Sequence, residues 1–224
     1  ETLQGVYDEE DPGNFPHMML KEIHDQPTAL SNALSGRISA DGTNSELSGF
    51  DLSPEQIKNL DRINLVACGT AYYASEIISS YLRQFTNIRS EAFIASEFPA
   101  KSVCSENTLT IGVSQSGETK DTLDALFEAK KFGSHISSIC NVIGSTMARL
   151  TGNGAYLHAG PEFAVASTKV FTNMVAVGLL FALTISNIGP TEKKALIKEL
   201  RKLPNIISSQ LLDADDSISK ATDL

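Results

Sequence analysis

"TLTIGVSQSGETKDTLDALFEAKKFG", Thr108 to Gly133, is the stretch that decides how this chain folds. Its first seven residues, 108–114, form a short apolar run rich in β-branched side chains, which reads as a buried strand. The run from about 119 to 132 reads as a helix. Between them lies "SQSGET", Ser114–Thr119, which packs three hydroxyls, an amide and a glycine into six residues. A buried strand, a polar turn and a helix in that order make the repeating unit of a parallel sheet.

The same alternation runs from residue 62 onward, on both sides of this unit. "RINLVAC" (62–68) reads as a strand, followed by Gly69 and a helix at about 71–86; "SEAFIAS" (90–96) is a second strand, followed by "EFPAK". Beyond the central unit come "HISSIC" (135–140) and "GAYLHAG" (154–160) as strands, and then a long helix at about 166–187. "PTEKKALIKELRKLPNIISSQLL" (190–212) makes one or two further helices, with Pro204 as an interruption. Five short apolar strands alternating with helices imply an α/β fold with a parallel sheet covered on both faces. Ahead of this core, "FPHMMLKEIHDQPTALSNALSGR" has helical spacing, with a kink or break expected at Pro27. A turn-rich connector follows, in which Ser53 and Pro54 open a short helix. The expected division is an acidic arm over 1–15, a helical segment and connector over 16–60, the main domain over 61–212 and a linker over 213–224.

Ligands of such sheets bind beyond the carboxyl ends of the strands, and three clusters of small polar residues fall there. They are "CGTAYY" (68–73), "SQSGET" and "GPEFAVASTK" (160–169). The first turn of a helix leaves backbone N–H groups unpaired and carries a partial positive charge, so an anion at the end of "SQSGET" would find donors ready. Ser114, Ser116 and Thr119 can add hydroxyls, Gln115 an amide, and Gly117 a close backbone approach. The plainer reading of any one of these hydroxyls, Thr119 above all, is a helix cap worth about 1 kcal/mol. No nucleophile sits beside a base, so no catalytic residue is assigned. Lys169 has two readings, a counter-charge to phosphate or a solvated residue in the first turn of its helix. Cys68 reads as a core thiol.

Composition excludes several classes. Lys and Arg number 18 against 27 Asp and Glu, a net charge of −9 with no local basic cluster, which argues against nucleic acid. Cys68, Cys104 and Cys140 are widely spaced and His17, His24, His135 and His158 scattered, so no metal is expected. The cysteines read as reduced thiols in a cytoplasmic setting. "VFTNMVAVGLLFALTI" (170–185) is 16 residues long, short of the roughly 20 that cross a membrane. The first twelve residues carry five acids and no base, unlike a secretory leader. The opening glutamate and the closing "SKATDL" suggest a piece of a longer polypeptide.

Taken together, "ACGTAYYA", "SQSGETKDTL" and "GPEFAVASTKVFT", with "FPHMMLKEIHDQP" upstream, closely resemble the sugar isomerase (SIS) domain. Within that group the chain is most similar to the glutamine–fructose-6-phosphate aminotransferase (glucosamine-6-phosphate synthase) family, over about residues 15–182. The resemblance implies a three-layer αβα sandwich with a five-stranded, flavodoxin-like parallel sheet. It implies that Ser114, Gln115, Ser116 and Thr119 hold the phosphate of fructose 6-phosphate or glucosamine 6-phosphate. Gly69 and Thr70 would contact the sugar phosphate from the first loop, and Val165 and Ser167 would line the sugar side. Ala71 stands where many relatives carry serine, so one hydroxyl contact is missing.

The same resemblance implies a cofactor-free enzyme with a glutaminase domain and two SIS domains, which takes ammonia from glutamine to make glucosamine 6-phosphate. This chain has room for one SIS domain and would be the first, inactive alone and pairing as a homodimer through that domain. Two other readings stand beside it: a stand-alone SIS module that senses sugar phosphates or works as a small isomerase, and an α/β protein used only for assembly.

Overall fold

The computed structural model describes residues 12–222. Residues 1–11, most of the expected acidic arm, and residues 223–224 lie outside the described part. The helical segment comprises α1 (Met18–His24), α2 (Gln26–Leu34) and, after the connector, α3 (Pro54–Asn59). The α/β core follows as β1 (Arg62–Ala67), α4 (Thr70–Phe85) and β2 (Arg89–Ile94). A 3₁₀ turn (Ala95–Glu97) and α5 (Phe98–Lys101) lead to β3 (Thr108–Ser114) and α6 (Lys120–Lys131). Then come β4 (His135–Cys140), α7 (Thr146–Thr151), β5 (Gly154–Tyr156), α8 (Lys169–Thr184) and α9 (Pro190–Thr222).

The five strands form one sheet in the order β2-β1-β3-β4-β5, with every neighbouring pair parallel. Alternation along the strands builds the two faces. Ile63, Leu65 and Ala67 of β1 and Leu109, Ile111 and Val113 of β3 join a core with α2, α4, α8 and α9. Val66, Ile136 and Cys140 point the other way, into a core with Ala125, Leu126 and Ala129 of α6 and Met147 of α7. This is the three-layer αβα arrangement. On the first face Gly178 lets α8 close onto α4, since a Cβ there would overlap the side chain of Ile78. Each fully buried Val, Leu, Ile or Phe of α8 contributes about 1.5–3 kcal/mol.

The boundaries differ from the sequence reading at identifiable places. The helical segment breaks at Asp25 instead of Pro27, because Pro27 sits in the first turn of α2, where no intrahelical N–H is needed. Ser53 and Gln56 form a reciprocal capping box at α3. β5 stops at Tyr156, and His158 takes a left-handed backbone (φ 52°) that turns the chain out of the sheet. Pro204 does not interrupt: α9 runs through it as one helix and on to Thr222, across residues 213–222 where a linker is expected. Pro204 is itself buried, and Ile197 and Leu200 one to two turns earlier anchor that stretch.

Candidate functional site

The strand order places the site. From β1 the chain passes through α4 to β2 on one side; from β3 it passes through α6 to β4 on the other. The carboxyl ends of β1 and β3 therefore border a crevice at the reversal of strand order, the usual ligand position in such sheets. A cleft of about 160 Å³ lies there, lined among others by Cys68, Thr70, Ser114, Gln115, Ser116, Thr119 and Ser167. Thr70, Ser114 and Ser167, 44 and 53 residues apart in the chain, come from three separate loops and meet at this one point.

The "SQSGET" turn is held by its own hydroxyls. Ser114 Oγ accepts from Gly117 N at 3.0 Å and lies 3.3 Å from Thr119 Oγ1, while Ser116 Oγ accepts from Glu118 N at 3.2 Å. A hydroxyl that accepts from backbone keeps its own proton to donate elsewhere. Gly117 has φ 68°, and a Cβ there would come within 2.6 Å of Ser145 Cβ. Two carbonyls of the turn accept from the next loop: Gln115 O from Asn141 N at 3.1 Å and Gly117 O from Met147 N at 3.0 Å. Glu118 faces away and accepts from Thr146 N at 2.8 Å at the start of α7; hydrogen bonding by Thr146 lowers its pKa.

Thr119 occupies the N-cap position of α6, yet its side chain makes no capping bond. The plain capping reading of this residue is thus incorrect; its hydroxyl turns to Ser114 and the cleft. Gly69, at the N-cap of α4, has φ 58° and ψ −136°, which a residue with a side chain rarely adopts, and it too offers no cap. Two helix N-termini therefore approach the cleft without side-chain caps, and their partial positive charge favours an anion between them.

The third wall comes from the entrance to α8. Ser167 lines the cleft, and its Oγ is buried with no hydrogen-bond partner; Thr168 Oγ1 is likewise buried and unpartnered. The N-terminus of α8 itself is already occupied, because Glu162 Oε1 accepts from Thr168 N at 2.9 Å and Val170 N at 3.2 Å. Val165 is fully exposed, with its side chain outside the cleft lining, and Gly69 precedes the lining residue Thr70. Gln115 also borders a broader cleft of about 920 Å³ with Asn32, Asn141, Ile143, His158 and Phe163.

Lys169 fits neither of its sequence readings. It is 4% exposed, and its Nζ donates to Asp25 Oδ2 at 3.1 Å, which ties α8 to the end of α1. Burial opposes ionisation of Asp25, but the hydrogen bonds from Lys169 and Lys21 prevail and hold its pKa below the ordinary carboxylate value. Cys68 is half-buried in the cleft wall and not sealed in the core. Sequence reasoning overlooked Glu22, Asp25 and Glu162, which fasten the α8 loop. A carboxylate just ahead of a helix start is a readable sign for Glu162; the other two act on distant backbone and carry no local signature.

The family model for the SIS domain matches residues 56–184. The chain belongs to the SIS domain family. The glutamine–fructose-6-phosphate aminotransferase (isomerizing) of Caldanaerobacter subterraneus subsp. tengcongensis is 40% identical over 93% of this chain. That of Bacteroides thetaiotaomicron is 39% identical over the same share. This SIS chain spans only 35% and 34% of those two proteins' lengths. The C-terminal domain of glucosamine-fructose-6-phosphate aminotransferase from Francisella tularensis superposes with a TM-score of 0.86 at 29% identity, over 94% of this chain and 60% of that one. Among the described residues no cluster of metal-ligating side chains occurs, and no helix is long and apolar enough to cross a membrane.

Proposed function

We propose that the cleft between β1 and β3 holds the phosphate of fructose 6-phosphate or glucosamine 6-phosphate. The observation that carries this reading is the convergence of Thr70, Ser114, Gln115, Ser116, Thr119 and the unpartnered Ser167 hydroxyl on one small cleft between two uncapped helix N-termini. Ser116 and Thr119 donate to phosphate oxygens together with first-turn backbone N–H groups of α6. Gln115 donates its amide, Gly69 and Thr70 close the β1 side, and Ser167 with the backbone of Val165 meets the sugar. In this reading residues 61–212 form the binding domain, residues 16–60 an attached helical segment, residues 1–15 an arm and residues 213–224 a connection onward.

The enzyme this part serves converts fructose 6-phosphate and glutamine to glucosamine 6-phosphate and glutamate, in a homodimer of the cytoplasm. Its glutaminase domain and second SIS domain would be other parts of a polypeptide of the relatives' length. The chain alone binds and does not turn over, because the cleft presents hydroxyls and amides but no acid–base pair. The half-buried and buried free thiols Cys68, Cys104 and Cys140 fit a reducing compartment. Calorimetric titration with glucosamine 6-phosphate tests the reading. Wild type should bind, and the double substitution Ser116→Ala/Thr119→Ala should weaken binding by about 2–3 kcal/mol, about 1–1.5 kcal/mol per lost hydroxyl. Undiminished binding by the double variant would refute the phosphate assignment, and isomerase turnover by the isolated chain would refute the division of labour.

A further inference from the structure

The α8 loop, which brings Ser167 to the cleft, is not fastened by its own neighbours alone. Glu22, in the middle of α1, has no solvent exposure. Its Oε1 accepts from Phe163 N at 2.6 Å and from Ala164 N at 3.2 Å, and its Oε2 lies 3.2 Å from the same Ala164 N. A buried carboxylate is costly unless its oxygens are paired, so this one belongs with those two backbone donors. Five residues beyond Ala164, at the first residue of α8, Asp25 grips Lys169. One turn into α8, Gln26 Oε1 accepts from Thr172 Oγ1 at 2.6 Å, and Asn173 donates to Ala29 O at 2.9 Å. Every one of these bonds joins the helical segment before residue 60 to the loop or to the helix it enters.

The contrast with the phosphate turn is sharp. "SQSGET" is held from inside its own loop and by the residues 141–147, and the hydrogen bonds among the described residues include none to it from α1 or α2. The two halves of the cleft therefore have separate supports. We propose that Glu22 is a positioning residue for the sugar side of the site: by fixing the Phe163 and Ala164 amides it sets where Val165 and Ser167 stand, and it has no part in gripping the phosphate. This rests on the reading of the cleft as a hexose 6-phosphate site, and it gives α1 a function that its distance in sequence conceals.

The test compares two ligands on three proteins. Glucosamine 6-phosphate and inorganic phosphate are titrated into wild type, Glu22→Ala and Glu22→Gln, with hydrogen exchange of the 160–168 segment followed in each. Glu22→Ala should weaken glucosamine 6-phosphate at least tenfold, change phosphate affinity less than twofold, and speed exchange at Phe163 and Ala164. Glu22→Gln keeps one acceptor oxygen at the same place and should recover most of the affinity and protection. Unchanged glucosamine 6-phosphate binding by Glu22→Ala overturns the proposal, and so does a parallel loss for both ligands, which would mark a general structural role. Wild type that binds neither ligand would sink the functional reading instead. In that event exchange decides the clamp: protection lost in Glu22→Ala and kept in Glu22→Gln supports it, and equal protection in all three overturns it.

Discussion

Gly117→Ala places one methyl group where the Ser114–Thr119 turn has least tolerance for it. The residue has φ 68°, a left-handed backbone that costs an L-residue about 1–2 kcal/mol. The new Cβ would also lie 2.6 Å from Ser145 Cβ and closer still to its Oγ. Ser145 cannot yield freely: it is 3% exposed, and its Oγ accepts from Ala148 N at 3.4 Å to cap α7. Swinging it aside forfeits that cap, about 1 kcal/mol. The sum is a loss of about 2–3 kcal/mol. For a chain of this size that lowers the melting temperature by about 5–10 °C.

A double-mutant cycle separates the two contributions. Ser145→Gly removes the clashing atoms, so Gly117→Ala made on that background should cost only the backbone part, about 1–2 kcal/mol, leaving a coupling of about 1 kcal/mol. Urea unfolding of the four proteins supplies every value. A full cost below about 0.5 kcal/mol, or additive single effects, would refute the claim that the turn is fastened against the α7 cap. The same variant should weaken glucosamine 6-phosphate binding, since the displaced turn carries Ser116 and Thr119.

The Asp25–Lys169 pair should respond unequally to removal of either member. Asp25→Ala strands a nearly inaccessible ammonium and should cost about 3 kcal/mol, whereas Lys169→Met removes the buried charge and leaves Asp25 its bond to Lys21 at 3.1 Å, costing about 1 kcal/mol in the same urea assay. Asp25 also sets a pH dependence. Its folded pKa is depressed, so its contribution is present above the unfolded carboxyl pKa of about 4 and is lost as pH falls through the lower folded value; Asp25→Asn should flatten the acid limb of a stability–pH curve. Burial raises the pKa of Cys140, which is 1% exposed, so iodoacetamide should label Cys68 and Cys104 well before Cys140 under native conditions, as read by peptide mass mapping.

How much of this was legible in the sequence depends on the range over which each signal acts. β3 and β4 are readable to the residue, because both are short apolar runs bounded by polar turns. The "SQSGET" turn and its place at a strand end follow from the same local pattern. α7 was not readable: six residues are too few to show a helical period. The start of α8 was misjudged by three residues, because Glu162 takes up the N–H groups of Thr168 and Val170 from outside the helix. Least visible were the bonds of Glu22, which span 141 and 142 residues and end on backbone amides. An amide has no residue type, so no pattern of side chains could reveal which one a buried carboxylate would meet.

The start of α6 supplies a last argument for the proposed ligand. Away from the cleft, Ser53 accepts from Gln56 N at α3 and Ser145 from Ala148 N at α7, whereas α1, α2 and α5 start without a side-chain cap. At α8 the acceptor is Glu162. At α4 and α6, whose starts border the cleft, the N-cap residues are Gly69 and Thr119, and neither caps. Thr119 could have done so, since it is among the side chains that cap well. Its hydroxyl instead faces Ser114, and α6 forgoes about 1 kcal/mol of stability that a rotation of one side chain could supply. A ligand with several negative oxygens between α4 and α6 would return that stabilisation to both helices at once. The corollary is measurable: saturating glucosamine 6-phosphate should raise the melting temperature of wild type, and should do so far less for Ser116→Ala/Thr119→Ala, by the linkage between binding and folding.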